Sequence, residues 1–224
     1  MTNSLKQNAA QAHHNSATES ELKFAVPETE VEGLTNYLNQ HFKAQPTLKL
    51  SNLYFDTVAG DLHQLRIGCR IRRWQLDGQQ HAEQTIKLAG QVVNGLHQRP
   101  EYNLPQDKQE KPDLTRFAAH IWPPGIDLSR INDNLRCEFK VDFIRHRWHC
   151  AQADTSSKST VEISLDQGFI IAGHQSEPVL EIEIELLSGE LDSLFEIAKT
   201  LTSRYKLVEF NKSKAQRGFA LARG

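Results

Sequence analysis

The chain has 224 residues, 38% of them hydrophobic and 24% charged, the make-up of one globular domain large enough to bury a core. With 26 basic and 28 acidic side chains the net charge is −2, so no overall excess points to nucleic acid or to an anionic membrane. Three cysteines, Cys69, Cys137 and Cys150, lie far apart without CxxC spacing and read as free thiols of a reducing compartment.

The opening MTNSLKQNAAQAHHNSATES has no apolar h-region, and no later stretch offers eighteen consecutive apolar residues. A cytoplasmic protein is expected, with a flexible polar tail over residues 1–18 in which His13 and His14 are solvated. Residues 21–27 place Leu22, Phe24 and Val26 on one parity, which predicts a strand. After Pro27, the spacing of Val31, Leu34, Leu38 and Phe42 predicts an amphipathic helix over 28–42. Strand-like runs follow at 47–56, 68–76, 84–88 and 96–104, with turn signals at Gly60, Asp77-Gly78 and Asn94-Gly95 between antiparallel neighbours.

Residues 105–135 are rich in charge and proline, with Leu114, Phe117, Ala118 and Ile121 marking a short helix. Strands resume at 136–150, 160–165, 169–172 and 179–187. A helix over 191–204 carries Leu191, Leu194, Phe195, Ala198 and Leu201 on one stripe, and a last helix begins near Asn211, capped by Asn211 or Ser213. The pattern is an α+β chain dominated by antiparallel strands, forming a single domain over 19–224.

The strands carry charge on one face. Glu19, Glu21 and Lys23 alternate with Leu22 and Phe24, and in LEIEIEL Glu181, Glu183 and Glu185 alternate with Ile182 and Ile184. Arg70 and Arg72 share a parity, as do Arg145 and Arg147, Arg99 and Glu101, Glu83 with Lys87, and Glu162 with Asp166. Any one of these strands suits a sheet with one wet face. Taken together, with acidic and basic strands segregated, they also suit a closed barrel with a charged interior and an apolar exterior covered by helices. Such an interior would gather guanidinium and ammonium groups around phosphate oxygens, and carboxylates around a hard divalent cation.

The residues YFDT at 54–57, LRIGCRIRR at 65–73, TIKLAG at 85–90, QRPEYN at 98–103, Arg145 with Trp148, ISLDQG, EIEIEL and SKAQRG, together with the E-x-E-x-K of Glu19, Glu21 and Lys23, resemble the CYTH superfamily of triphosphate tunnel metalloenzymes. RPEYN and SKAQRG look most like its bacterial inorganic triphosphatase branch, whose members often continue into a second helical domain. The resemblance implies a closed eight-stranded antiparallel barrel acting as a tunnel and dependence on Mg²⁺ or Mn²⁺. The implied reaction is hydrolysis of a small-molecule triphosphate, foremost inorganic tripolyphosphate to pyrophosphate and phosphate. Thiamine or nucleoside triphosphate hydrolysis, class IV adenylate cyclase activity and simple polyphosphate binding are the alternatives. By the same resemblance Glu19, Glu21, Glu181 and Glu183 hold metal, with Glu185 and Asp166 as further ligands and Glu185 ranked last among the glutamates. Lys23, Arg70, Arg72, Lys87, Arg145 and Lys214 grip the phosphate chain, followed by Arg99, Arg147 and Lys212. Of these, Lys23, Arg72 and Lys87 are the implied catalytic groups.

Cys69, on the apolar parity of its strand, reads as a core thiol. Tyr54, Phe55, Trp74 and Trp148 read as core or wall residues, and His146 and His149 as outer-face or structural ones.

Overall fold

A computed structural model describes residues 17–106, 110–151 and 159–224. His13 and His14, with most of the expected tail, lie outside the described residues. The first strand nevertheless reaches into that segment, because β1 spans Ala17–Ala25. The other strands are β2 (Lys43–Asp56), β3 (Gly68–Leu76), β4 (Gln79–Lys87), β5 (Gln91–Val93), β6 (Leu96–Pro105), β7 (Arg136–Ala151), β8 (Thr160–Ala172), β9 (Gln175–Ser188) and β10 (Val208–Glu209). Eight of them pair antiparallel in the order β1-β9-β8-β7-β2-β3-β4-β6, and β6 returns to β1 to close a barrel. The short β5 and β10 pair with β6 and β1 beside the ring.

Alternation decides which atoms face in. The apolar parity, with Leu22, Phe24, Ile163, Leu165, Ile182 and Ile184, packs outward against α1 (Val31–His41) and α4 (Leu191–Arg204). Cys69, Ile71, Ile86 and Leu104 pack outward under the segment that follows β6, which includes α3 (Leu128–Asp133). Each such side chain contributes about 1.5–3 kcal/mol on leaving water. With the apolar parity spent on the helices, the charged parity is turned inward. A third cluster joins Tyr54, Phe139, Phe143 and Ile170 to Phe219 of α5 (Lys214–Arg223), which seats that helix against the barrel wall.

Both two-residue turns take the left-handed conformations that hairpins require, with φ of 50° and 76° at Asp77-Gly78 and 51° and 79° at Asn94-Gly95. Gly60 differs from expectation: at φ 73° it is the N-cap of the short α2 (Asp61–Gln64) in the connection from β2 to β3. The short helix expected around 114–121 is two 3₁₀ turns, Leu114–Arg116 and Ala119–Ile121. Residues 160–165 and 169–172 belong to one continuous strand, β8. The last helix begins at Lys214, and its cap is Ser213, in a reciprocal capping box with Gln216. No helix among the described residues is long and apolar enough to cross a membrane. Cys69, Cys137 and Cys150 are free thiols, and Cys69 is buried.

Candidate active site

The barrel encloses a cavity of about 520 Å³ whose wall takes residues from β1, β2, β3, β4, β6, β7, β9 and α5. Glu19, Glu21 and Lys23 come from β1, Arg70 and Arg72 from β3, and Lys87 from β4. Arg99 and Glu101 come from β6, Arg145 from β7, Glu183 and Glu185 from β9, and Lys214 from the first turn of α5. Residues more than 100 positions apart meet because the strand register stacks them. Glu21 faces Glu185 and Lys23 faces Glu183 across the β1–β9 ladder, while Asp166 faces both Arg145 and Glu181.

Two acidic groups differ in how well they are neutralised. In the first, carboxylate oxygens of Asp166, Glu181 and Glu183 lie within 4.8 Å of one another. The Lys214 ammonium stands among them, 2.6 Å from Asp166, 2.5 Å from Glu181 and 2.9 Å from Glu183. Arg145 bonds both Asp166 oxygens at 2.7 Å and Glu183 at 2.5 Å. Lys23 sits 3.1 Å from Glu183, and Arg217 sits 3.0 Å from Glu181. Burial alone would favour the neutral acids, yet Lys214, Lys23 and Arg145 outweigh it and hold Glu183 well below the usual carboxylate range. The same carboxylates keep Lys214 firmly protonated despite its burial.

The second group is Glu21 with Glu185. Glu21 reaches only a distant Lys23 at 3.9 Å and Arg99 at 3.4 Å, and Glu185 has no ion pair among the described residues. Burial, followed by the charges of Glu19 and Glu21, pushes the Glu185 carboxyl up to about 8. Burial and the negative charges of Glu183 and Glu19 likewise raise Glu21. Glu19 behaves otherwise, because Lys87 and Arg99, both 2.8 Å away, overcome its burial and hold it low. A carboxylate pair short of positive charge, with Glu21 buried and Glu185 half-buried, open to a cavity and offering hard oxygen donors, fits a divalent cation of the Mg²⁺ or Mn²⁺ kind.

The cations facing this pair are unevenly satisfied. Lys87 is clasped by Glu19 and Glu101, the latter at 2.5 Å. Arg70 reaches Glu101 only at 3.6 Å, and its buried Nε has no hydrogen-bond partner. Arg72 donates to the Asn52 side-chain oxygen at 3.2 Å and lies 3.8 Å from Glu83. Burial and the like charges of Arg70 and Arg145 lower the Arg72 pKa, the mark of a guanidinium with too little negative charge nearby.

Most of the expected site residues therefore meet in one space, with exceptions. Glu181 and Asp166 do not line the cavity; they are buried behind Lys214 and are fully engaged by cations. Arg147 also stands off the cavity wall, where it pairs with Glu162 at 3.5 Å and donates to the Pro46 carbonyl. Lys212 is exposed on the turn before α5 and is absent from the wall. His149 is not on the outer face: it shares the inward parity of Arg145 and Arg147 and contacts Glu162 at 2.9 Å. Glu101, Tyr54 and Arg217 belong to the site or its support without having been singled out for it. The alternation Arg99–Glu101 and the one-turn spacing Lys214–Arg217 were the signals available for two of them.

The CYTH domain pattern matches residues 17–219. The inorganic triphosphatase of Haemophilus influenzae is 35% identical over 209 residues, which is 91% of this chain and 54% of that protein. The chain thus spans about half the length of that relative. Among solved structures, a Hippeastrum adenylyl cyclase candidate with a dominant triphosphatase activity is similar at TM-score 0.63 and 19% identity, covering 92% of this chain and 95% of that one. A Bacillus halodurans adenylate cyclase candidate is similar at TM-score 0.54 and 22% identity, covering 89% and 96%. At these identities the two structures establish the shared fold alone.

Proposed function

Since the chain belongs to the CYTH domain family, we propose that it hydrolyses the terminal phosphoanhydride of inorganic tripolyphosphate, giving pyrophosphate and phosphate, with a divalent cation as cofactor. The observation that carries this reading is the under-neutralised Glu21–Glu185 pair in one cavity with Arg70, Arg72 and Lys87. A polyanion needs the cations, and the carboxylates need a further cation that a metal–triphosphate complex brings with it. The 35% identity to a protein named inorganic triphosphatase supports the choice of substrate.

In this reading Glu21 and Glu185 hold the metal, with Glu19 and Glu183 beside them, while Glu181 and Asp166 anchor Lys214. The bound Mg²⁺ or Mn²⁺ supplies charge neutralisation and a polarised water. Arg70, Arg99 and Arg145 position the phosphate chain. Lys23, Arg72 and Lys87 stabilise charge on the transferring and leaving oxygens, a preorganised electrostatic effect that needs no nucleophilic Ser or Cys. A single unit over residues 19–224 would bring the cavity-lining members of this set together in one tunnel, with Glu181 and Asp166 buried behind Lys214.

The test is a substrate panel of tripolyphosphate, thiamine triphosphate and ATP, scored for phosphate and pyrophosphate with Mg²⁺, with Mn²⁺ and with chelator. Metal-dependent phosphate release, fastest on tripolyphosphate, is expected. Glu21→Ala and Glu183→Ala are expected to abolish it while leaving the fold intact. Pyrophosphate released from ATP together with cyclic AMP would instead indicate a cyclase, and turnover undiminished by chelator would overturn the metal role.

A further inference from the structure

The cavity wall holds neutral hydrogen-bond donors that the proposed reaction leaves unused, Tyr54 among them. Tyr54, on β2, lines the cavity yet is only 6% exposed. Its hydroxyl has no hydrogen-bond partner among the described residues. The ring is fixed from behind. It stacks on Phe139 at 4.6 Å and 11°, and Phe139 meets Phe219 of α5 edge-on at 5.0 Å and 82°. Gly218 lies so close to Phe139 that any Cβ there would overlap the ring.

The surroundings of the phenol are cationic. Burial disfavours its ionisation, but Arg70, Lys214, Arg72 and Lys87 together outweigh burial and lower its pKa. Lys87 and Lys214 already have close carboxylate partners, so neither leaves an acceptor for the phenol. Tyr54 and Arg70 occupy directly paired positions of β2 and β3, and Arg70 also keeps a buried Nε without a partner. Two unfilled donors thus sit side by side on the wall. The Tyr54 hydroxyl lines the cavity, while the Arg70 Nε is a buried donor whose missing acceptor has a cost that a bound acceptor removes.

We propose that Tyr54 donates its hydroxyl hydrogen to a phosphoryl oxygen of the bound triphosphate, beside Arg70, as a further substrate-binding residue. The proposal rests on reading the cavity as a triphosphate site. An O–H polarised by neighbouring cations is a strong donor to an anionic oxygen, and it adds a directional contact without adding another like charge to the wall. If Tyr54 served only to fill the wall, phenylalanine would do as well, because the stacking on Phe139 needs only the ring.

The experiment is calorimetric titration of tripolyphosphate into wild type and Tyr54→Phe, with steady-state kinetics and thermal melts on the same samples. Tyr54→Phe is expected to weaken binding and raise KM about tenfold, the loss of one hydrogen bond to a charged acceptor, with an unchanged Tm. Tyr54→Leu, which also removes the ring stack, is expected to lower Tm as well. Equal affinity and KM for wild type and Tyr54→Phe would refute the hydroxyl contact and leave the triphosphate reading standing. A wild-type protein that neither binds nor turns over tripolyphosphate would overturn both.

Discussion

Glu185 is the interior carboxylate whose charge the barrel leaves least balanced, and this has a measurable sign. Its folded pKa is pushed up to about 8, against about 4.3 in an unfolded chain. Between those values the folded protein keeps a proton that the unfolded chain has released, so stability falls as pH rises through that window. With chelator present, Tm is expected to drop between pH 5 and pH 8, and Glu185→Gln is expected to flatten the slope. At pH 8 the variant should melt higher by about 2–4 °C for each kcal/mol recovered. Parallel slopes in melts of the two proteins would sink the assignment; the raised pKa of Glu21 leaves some slope in both. LEIEIEL shows why sequence reached only part of this. Period two told which residues share the inward face, but Glu181 and Glu185 are indistinguishable along the strand. Their partners separate them: Glu181 meets Asp166 and Lys214, while Glu185 meets Glu21 and Glu162.

Among the elements, α5 has the greatest reach into the site, because its first two turns deliver Lys214 and Arg217 to the buried carboxylates. Ser213 accepts from the Gln216 backbone and Gln216 answers with its side chain. Ser213→Ala is expected to cost about 1 kcal/mol, or about 2–4 °C in Tm, and to lower turnover by loosening Lys214. Calorimetry and kinetics on the variant check both halves. Gly218→Ala forces a methyl group into Phe139 and is expected to cost about 1–3 kcal/mol, by chemical denaturation. Helices with a full apolar stripe, such as α4, were legible because their periodicity repeats over several turns. The 3₁₀ turns near Leu114 were not, since four apolar positions describe a wrapped loop as well as a helix. The strand expected in two pieces, 160–165 and 169–172, is continuous through Gly168. That glycine marks a close approach to the Phe143 backbone within the unbroken strand.

At the scale of the molecule, charge of both signs is held inside and apolar surface outside is capped by helices, so a net charge of −2 says little about the field within the barrel. Ligand binding should therefore be visible in global stability: tripolyphosphate at 100 times its Kd is expected to add about 2.7 kcal/mol, read as a rise in Tm. No shift would count against the interior as the binding site. The closure of the barrel has a further consequence for how the chain reaches this state. β1 pairs with β6 at residues some 80 positions on and with β9 at residues some 160 positions on. Among the described strands β1 is made before its partners and must wait for β9 before its last edge is covered, and such distant pairings close slowly. A naked strand edge during that wait invites pairing with other chains, and charge along it is a deterrent. Glu19, Glu21 and Lys23 place charge of that kind on β1 itself, ahead of the cavity they come to line.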